Sequence, residues 1–136
     1  AGTELKGKKL GILAFGNVGR NVARIAKGFD MDVYAYDAFC PAEAIEAAGV
    51  HAVKTQNDLF KVSDVLSLHI PATPDTIKSI NYEMVNQLPK KAILLNRRRG
   101  YRRCYSVDRE IIRGEIIFAR VCILHRIVFS GGATLG

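Results

Sequence analysis

The sequence predicts an α/β fold, a doubly wound and mostly parallel sheet with helices on both faces. Three observations point to it. Strand-like and helix-like hydrophobic patterns alternate along the chain, and parallel strands need crossover connections, normally right-handed helices. Residues 91–96 are apolar almost without interruption, the pattern of a strand covered on both faces. Glycine or proline stands at several of the boundaries between segments, as turns and helix ends require.

Taken in order, residues 9–15 form an apolar run entering Gly16, and 17–29 carry Val18, Val22, Ile25, Ala26 and Phe29 at helical spacing. That reads as strand, tight turn and helix. In 31–37, Val33 and Ala35 alternate with Tyr34 and Tyr36 and the run ends on Asp37, a second strand. Residues 41–48 read as a short helix, with Pro41 near its start and Gly49 just past its end. A brief strand (50–53), a turn of helix (56–61) and a fourth strand (64–70), stopped by Pro71, come next; Pro71 and Pro74 mark the loop beyond it. Residues 82–88 are helical and 91–96 a strand. Ser106 can cap a helix ending at Gly114, and 116–124 is a strongly apolar, β-branched run. No repeat, low-complexity stretch or linker divides the chain, so 1–136 is expected to be one domain. Sheets of this kind bind ligands outside the carboxyl ends of their strands.

With 136 residues, 49% hydrophobic and 24% charged, one domain can withdraw roughly two-thirds of its unfolded surface from water without staples. Cys40, Cys104 and Cys122 are too few and scattered for a disulfide framework, and no CxxC pair offers a zinc or redox site; no metal is expected, and a reducing, cytoplasmic setting fits. No apolar run approaches the roughly 18 residues of a membrane span, and the lysines of residues 1–10 precede no signal-type stretch, so neither a membrane nor a secretory location is expected. The net charge of +7 would suggest an anionic partner, but it is unevenly placed. Residues 1–96 hold nine Lys and two Arg against ten acids, whereas 97–136 hold nine Arg and no Lys against three. The excess belongs to the tail.

The first strand runs into Ala14-Phe15-Gly16-Asn17-Val18-Gly19, an AxGxxG variant of the dinucleotide fingerprint. Gly16 lets the backbone approach a pyrophosphate, Gly19 lets the helix pack close to the strand, and the helix N-terminus supplies amide donors to the anion. Asp37 ends the next strand 18 residues after Gly19, where an acid can accept both ribose hydroxyls. The expected cofactor is NAD, since Asp37 repels a 2′-phosphate and Ala38, Phe39 and Cys40 supply no cation to neutralise one. Ala14, in the first glycine position, is a departure that tightens the turn at some conformational cost. The bland reading of the same residues is a plain turn with an exposed acid.

The segment GTELKGKKLGILAFGNVGRNVARIAKGFDMDVYAYD, the SLHIPATPDT loop and the ILLNRRRG stretch resemble the cofactor domain of the D-2-hydroxyacid dehydrogenases, most nearly the phosphoglycerate branch. The likeness is close and nearly gap-free over residues 2–96 and fades afterwards. It implies a Rossmann-type nicotinamide-binding domain, set between two halves of a substrate domain that this chain lacks. The parent reaction moves a hydride between NAD and a small 2-hydroxy acid, and two parents pair through their cofactor domains. The resemblance implies that Phe15, Gly16, Asn17, Val18, Gly19, Asp37, the strip His69, Ile70 and Pro71, and Asn96 line the cofactor. His69 reads as pocket wall or core rather than as a proton carrier, and His51 and His125 are isolated. The family's Asn-x-x-Arg-Gly element matches residues 96–100 and puts the catalytic arginine at Arg99, where a guanidinium would clamp the substrate carboxylate. The plainer alternative is one member of a solvated basic run.

The family also needs a Glu and His pair for acid catalysis. Cys122 stands where an aspartate usually precedes that glutamate, no glutamate comes after it, and Phe129 occupies the histidine position. Hence the alternative of an NAD-responsive interaction protein without turnover. The tail RRRGYRRCY interleaves basic and aromatic residues as a single-strand binder does, but its arginines fall across a loop, a helix and a strand, so no specific nucleic-acid site is expected. A one-base shift also accounts for the tail: Gly100 to Cys104 can be encoded so that the neighbouring frame reads Gly-Ile-Val-Asp, close to the residues that the family carries after its Arg-Gly. A designed or otherwise altered segment accounts for it too.

Overall fold

The computed structural model describes residues 4–70, 80, 82–89, 91–96 and 116–120. The elements are β1 (Lys9–Leu13), α1 (Asn17–Gly28), β2 (Asp32–Tyr36), α2 (Ala42–Ala47), β3 (His51–Ala52), α3 (Gln56–Val62), β4 (Val65–Leu68), α4 (Tyr82–Val85), β5 (Ala92–Asn96) and β6 (Ile116–Arg120). The strands form one sheet in the order β3-β2-β1-β4-β5-β6, and every pairing is parallel. The chain starts at the centre, steps outward through β2 to β3, then crosses back past β1 and winds the other way. This is the doubly wound architecture expected, and the reversal between β1 and β4 is where such sheets open a crevice.

Side chains alternate across each strand, so consecutive residues feed different cores. On one face Leu10, Ile12, Val33, Ala35 and Val65 pack under Val22, Ala23 and Ala26 of α1. On the other, Leu13, Leu66, Leu68, Ala92 and Leu94 pack under Leu59 and Phe60 of α3 and Val85 of α4. Gly11 faces the end of α3, and a Cβ there would run into the Ser63 hydroxyl, which donates to Leu59 O at 2.6 Å. Thr55 caps α3 by accepting from Asp58 N at 3.1 Å.

The differences from the sequence reading are local. The helix expected over 82–88 ends at Val85, because Gln87 N and Leu88 N reach back only three residues, to Met84 O and Val85 O, ahead of Pro89. Of residues 50–53 only His51 and Ala52 pair in register; Val50 N is drawn to Ile45 O at the end of α2. The loop at Pro71 and Pro74 and the helix expected between Ser106 and Gly114 lie outside the described residues, as does the run 116–124 beyond Arg120. An apolar recess of about 110 Å³ opens between α1 and the sheet, lined by Leu10, Val22, Ile25, Phe29, Met31 and Leu95 among others. Among the described residues, no helix is long and apolar enough to cross a membrane.

Candidate functional site

Strand register brings the candidate residues to one edge. Leu13 lies opposite Tyr36 and Leu68, Leu68 opposite Asn96, and Asn96 opposite Arg120. The segments leaving this row carry residues 14–19, Asp37, and His69 with Ile70, while Asn96 stands in the row itself. Pro71 and Arg99 lie outside the described residues, as do Cys122, His125 and Phe129.

The loop after β1 is held by its neighbours on both sides. Ala14 has φ +75°, a left-handed conformation that costs a non-glycine residue roughly 1–2 kcal/mol. Its N–H donates to Tyr36 O at 2.9 Å, His69 N donates to Leu13 O at 2.9 Å, and Phe15 N donates to Asp37 Oδ2 at 2.7 Å. The Phe15 ring anchors the loop in the core, 2% exposed.

The next two glycines behave differently. A Cβ on Gly19 would sit 2.7 Å from Ala14 O and 3.1 Å from Ile12 Cγ2, so the helix can lie this close to β1 only without one. A Cβ on Gly16 would meet nothing within 4 Å. Gly19 answers to the fold, whereas Gly16 faces open space. Gly16 is also the N-cap of α1, with no side chain capping the helix and no acid in its first turn. The first helical bond runs from Arg20 N to Gly16 O at 2.9 Å, so the amides of residues 17–19 have no acceptor within the helix. Positive partial charge is thereby presented beside the open side of Gly16.

Asp37 is half-buried, and its carboxylate is already engaged. Oδ2 accepts from Phe15 N, and Oδ1 accepts from Phe39 N at 2.8 Å and Cys40 N at 3.1 Å. A carboxylate offers about four acceptor positions, so direct room is left for one further donor rather than the two anticipated. A cation also stands close by, brought from α1 and not from residues 38–40. The Arg20 guanidinium lies 4.8 Å over the Phe15 ring, and its Nη2 is 3.6 Å from Cys40 Sγ. Residues 38–40 give no hint of it, because the cation lies 17 positions upstream of Asp37. The available signal was a basic residue in a first helical turn with no acid three or four positions on, where Ala23 and Arg24 stand.

Asn17 is exposed, and Val18 packs against the α1-side core. Ile70 packs against the other core, and a 2.8 Å hydrogen bond joins His69 Nε2 to Ser67 Oγ, the latter 2% exposed as a residue. The His51 ring lies 4.9 Å from that of Tyr34.

Comparison with known proteins adds a family to this geometry. Residues 1–102 match the model of the D-isomer specific 2-hydroxyacid dehydrogenase, NAD binding domain. The chain is 40% identical over 99 residues to a D-3-phosphoglycerate dehydrogenase of Methanocaldococcus jannaschii, covering 73% of this chain and 19% of that protein. It is 36% identical over 120 residues to a hydroxypyruvate reductase of Thermotoga maritima, covering 88% and 37%. Among solved structures, the NAD+-bound 3-phosphoglycerate dehydrogenase of Entamoeba histolytica superposes with a TM-score of 0.73 at 34% identity, covering 88% of this chain and 38% of that one. The chain thus spans well under half the length of these relatives.

Proposed function

Because the chain belongs to the D-2-hydroxyacid dehydrogenase family, as its NAD-binding domain, we propose that residues 14–19 and Asp37 seat NAD for oxidation of a 2-hydroxy acid, D-3-phosphoglycerate foremost. The observation that carries this reading is the pair of glycines: Gly19 is closed off by Ala14 O and Ile12, while Gly16, beside the uncapped end of α1, is open. NAD is the family's cofactor, and a cradle that a Cβ would fill suits its pyrophosphate.

In this reading the amides of residues 17–19 hold the pyrophosphate and Asp37 accepts one ribose hydroxyl directly. His69, Ile70, Pro71 and Asn96 wall the nicotinamide side, and Arg99 clamps the substrate carboxylate, orienting the carbon whose hydrogen leaves. When bound, NAD supplies the hydride-accepting ring. Phosphoglycerate is put first because the segments of residues 2–96 resemble that branch and a relative named for it is 40% identical over 99 residues; a glyoxylate reductase at the same identity and a hydroxypyruvate reductase mark the neighbouring choices. Residues 1–136 form one cofactor domain, with 97–136 atypical for the family, and two copies pair through it in a cytoplasmic enzyme.

Titration with NADH, followed by fluorescence and by thermal unfolding, tests the seat. Gly16→Ala should leave Tm within about 2 °C, because its Cβ meets no atom, yet weaken NADH at least about tenfold. Gly19→Ala should lower Tm as well, by several degrees. NADH binding untouched by Gly16→Ala would remove the pyrophosphate from this loop. One observation favours a second reading, an NAD-responsive interaction protein: Phe129 stands where the family's acid would be. A domain that binds NADH but stays inactive when its missing parts are supplied would favour it.

A further inference from the structure

We propose that Arg20 is a specificity-determining residue for the dinucleotide: its guanidinium supplies positive charge at the adenosine-ribose end that draws a 2′-phosphate, and Asp37 opposes and outweighs that pull. This rests on the reading of residues 14–19 and Asp37 as the dinucleotide seat.

Arg20 and Asp37 grip the same two residues. Asp37 takes the main-chain N–H groups of Phe15 and Cys40, and Arg20 takes their side chains, stacking 4.8 Å over the Phe15 ring and reaching Cys40 Sγ at 3.6 Å. The two opposite charges therefore act on the same pair of loops, those after β1 and β2, where the second ribose would meet the protein. The position is an unusual one for a cation. Arg20 is in the first turn of α1, where the helix dipole disfavours positive charge, and neither of its partners carries a negative charge. A thiol is a weak acceptor, so exchanging it for a phosphate oxygen would sacrifice little and gain a charge-assisted bond from a planar fork suited to phosphate. Residues 38–40 offer no competing cation.

Charge alone has two consequences here. With Asp37 present, a 2′-phosphate meets a carboxylate with three of its acceptor positions already committed and no proton to give, and NADH is preferred. With that charge removed, the first turn of α1 presents a cation to the 2′ position.

The test uses the full chain with NADH and NADPH titrated separately. The unaltered protein should prefer NADH by at least about tenfold, and Asp37→Asn should shift the ratio toward NADPH by at least about tenfold. Adding Arg20→Gln should reverse most of that shift, by about fivefold or more, while adding Arg20→Lys, which keeps a point charge, should reverse less. A shift that survives Arg20→Gln in full overturns the inference. Should Asp37→Asn release the loop and lose both dinucleotides, the comparison moves to ADP and 2′,5′-ADP on the unaltered protein and Arg20→Gln. There, 2′,5′-ADP should weaken about fivefold more than ADP, and equal weakening overturns the inference. Failure of the unaltered protein to bind NADH would sink the dinucleotide reading itself, a result distinguishable from either.

Discussion

The N–H of Phe15 donates to Oδ2 of Asp37 across 2.7 Å, joining residues 22 apart in sequence. The bond ties the loop after β1 to the loop after β2, so the acid proposed to take the ribose also fixes the backbone proposed to approach the pyrophosphate. Its other oxygen gathers Phe39 N and Cys40 N, which makes Asp37 a structural centre as well as a proposed ligand group.

Asp37→Ala should therefore cost both binding and stability. Three N–H groups lose a charged acceptor, two of them in part-buried bonds; at about 1 kcal/mol each for those that water does not replace, the loss should be about 2 kcal/mol. NADH affinity should fall by at least about tenfold, since the loop loosens and the ribose loses its acceptor. Chemical denaturation and NADH titration of the same samples would check both, and a variant that binds normally would remove Asp37 from the site.

Much of this is legible in the sequence. The alternation of apolar runs, the glycine spacing from Ala14 to Gly19 and the acid at position 37 are short-range signals, and each speaks for both fold and site. Other features are not legible because they depend on partners far away along the chain. That Gly11 is there to admit Ser63, 52 residues later, shows only once α3 lies against β1. That Arg20 reaches Cys40 requires the first turn of α1 to face the loop after β2. The saturation of Asp37 by main-chain donors is likewise a matter of loop path, which hydrophobic pattern does not encode. The end of α4 at Val85 escapes the pattern because its tightening last turn, before Pro89, still looks helical in sequence.

Gly11→Ala should be among the most damaging single-methyl changes in the fold. The added Cβ meets the Ser63 side chain and stands 3.0 Å from Leu66 Cδ1, in a strand flanked by β2 and β4 that cannot shift away. Overpacking of this kind costs about 1–3 kcal/mol, here at the upper end. Gly11→Ala combined with Ser63→Gly should be more stable than the sum of the single changes by at least about 1 kcal/mol. Additive losses would mean that Ser63 is not the obstacle.

The arginine-rich tail, residues 97–136, should make no specific nucleic-acid site. Phosphate-backbone binding needs a continuous basic stripe, and the arginines are distributed over segments of different character, one of them in β6. Salt-sensitive sticking in the usual non-specific range, about 10⁻⁴ to 10⁻⁶ M, is the expected behaviour. Fluorescence anisotropy with labelled single-stranded and duplex oligonucleotides at physiological salt would check it, and a Kd tighter than about 10⁻⁷ M for any of them would count against it.

These 136 residues should bind NADH without turning over a hydroxy acid on their own. Hydride transfer needs a carboxylate clamp, a placed proton acceptor and a cleft from which water is excluded. Arg99 is proposed for the first requirement, but Phe129 and Cys122 stand where the acid–base pair is expected, and the relatives devote well over half their length to residues outside this match. Loss of general acid–base catalysis alone is worth about 10² to 10⁴ in rate, and the loss of orientation and desolvation compounds it. The measurement is NADH formation at alkaline pH with D-3-phosphoglycerate, glycerate and glycolate, alongside NADH binding by the same preparation. Binding without a saturable rate is the expected result. A rate that saturates in one of these substrates and disappears in Arg99→Ala would instead show a complete site within the 136 residues, with its proton acceptor at a position other than 129.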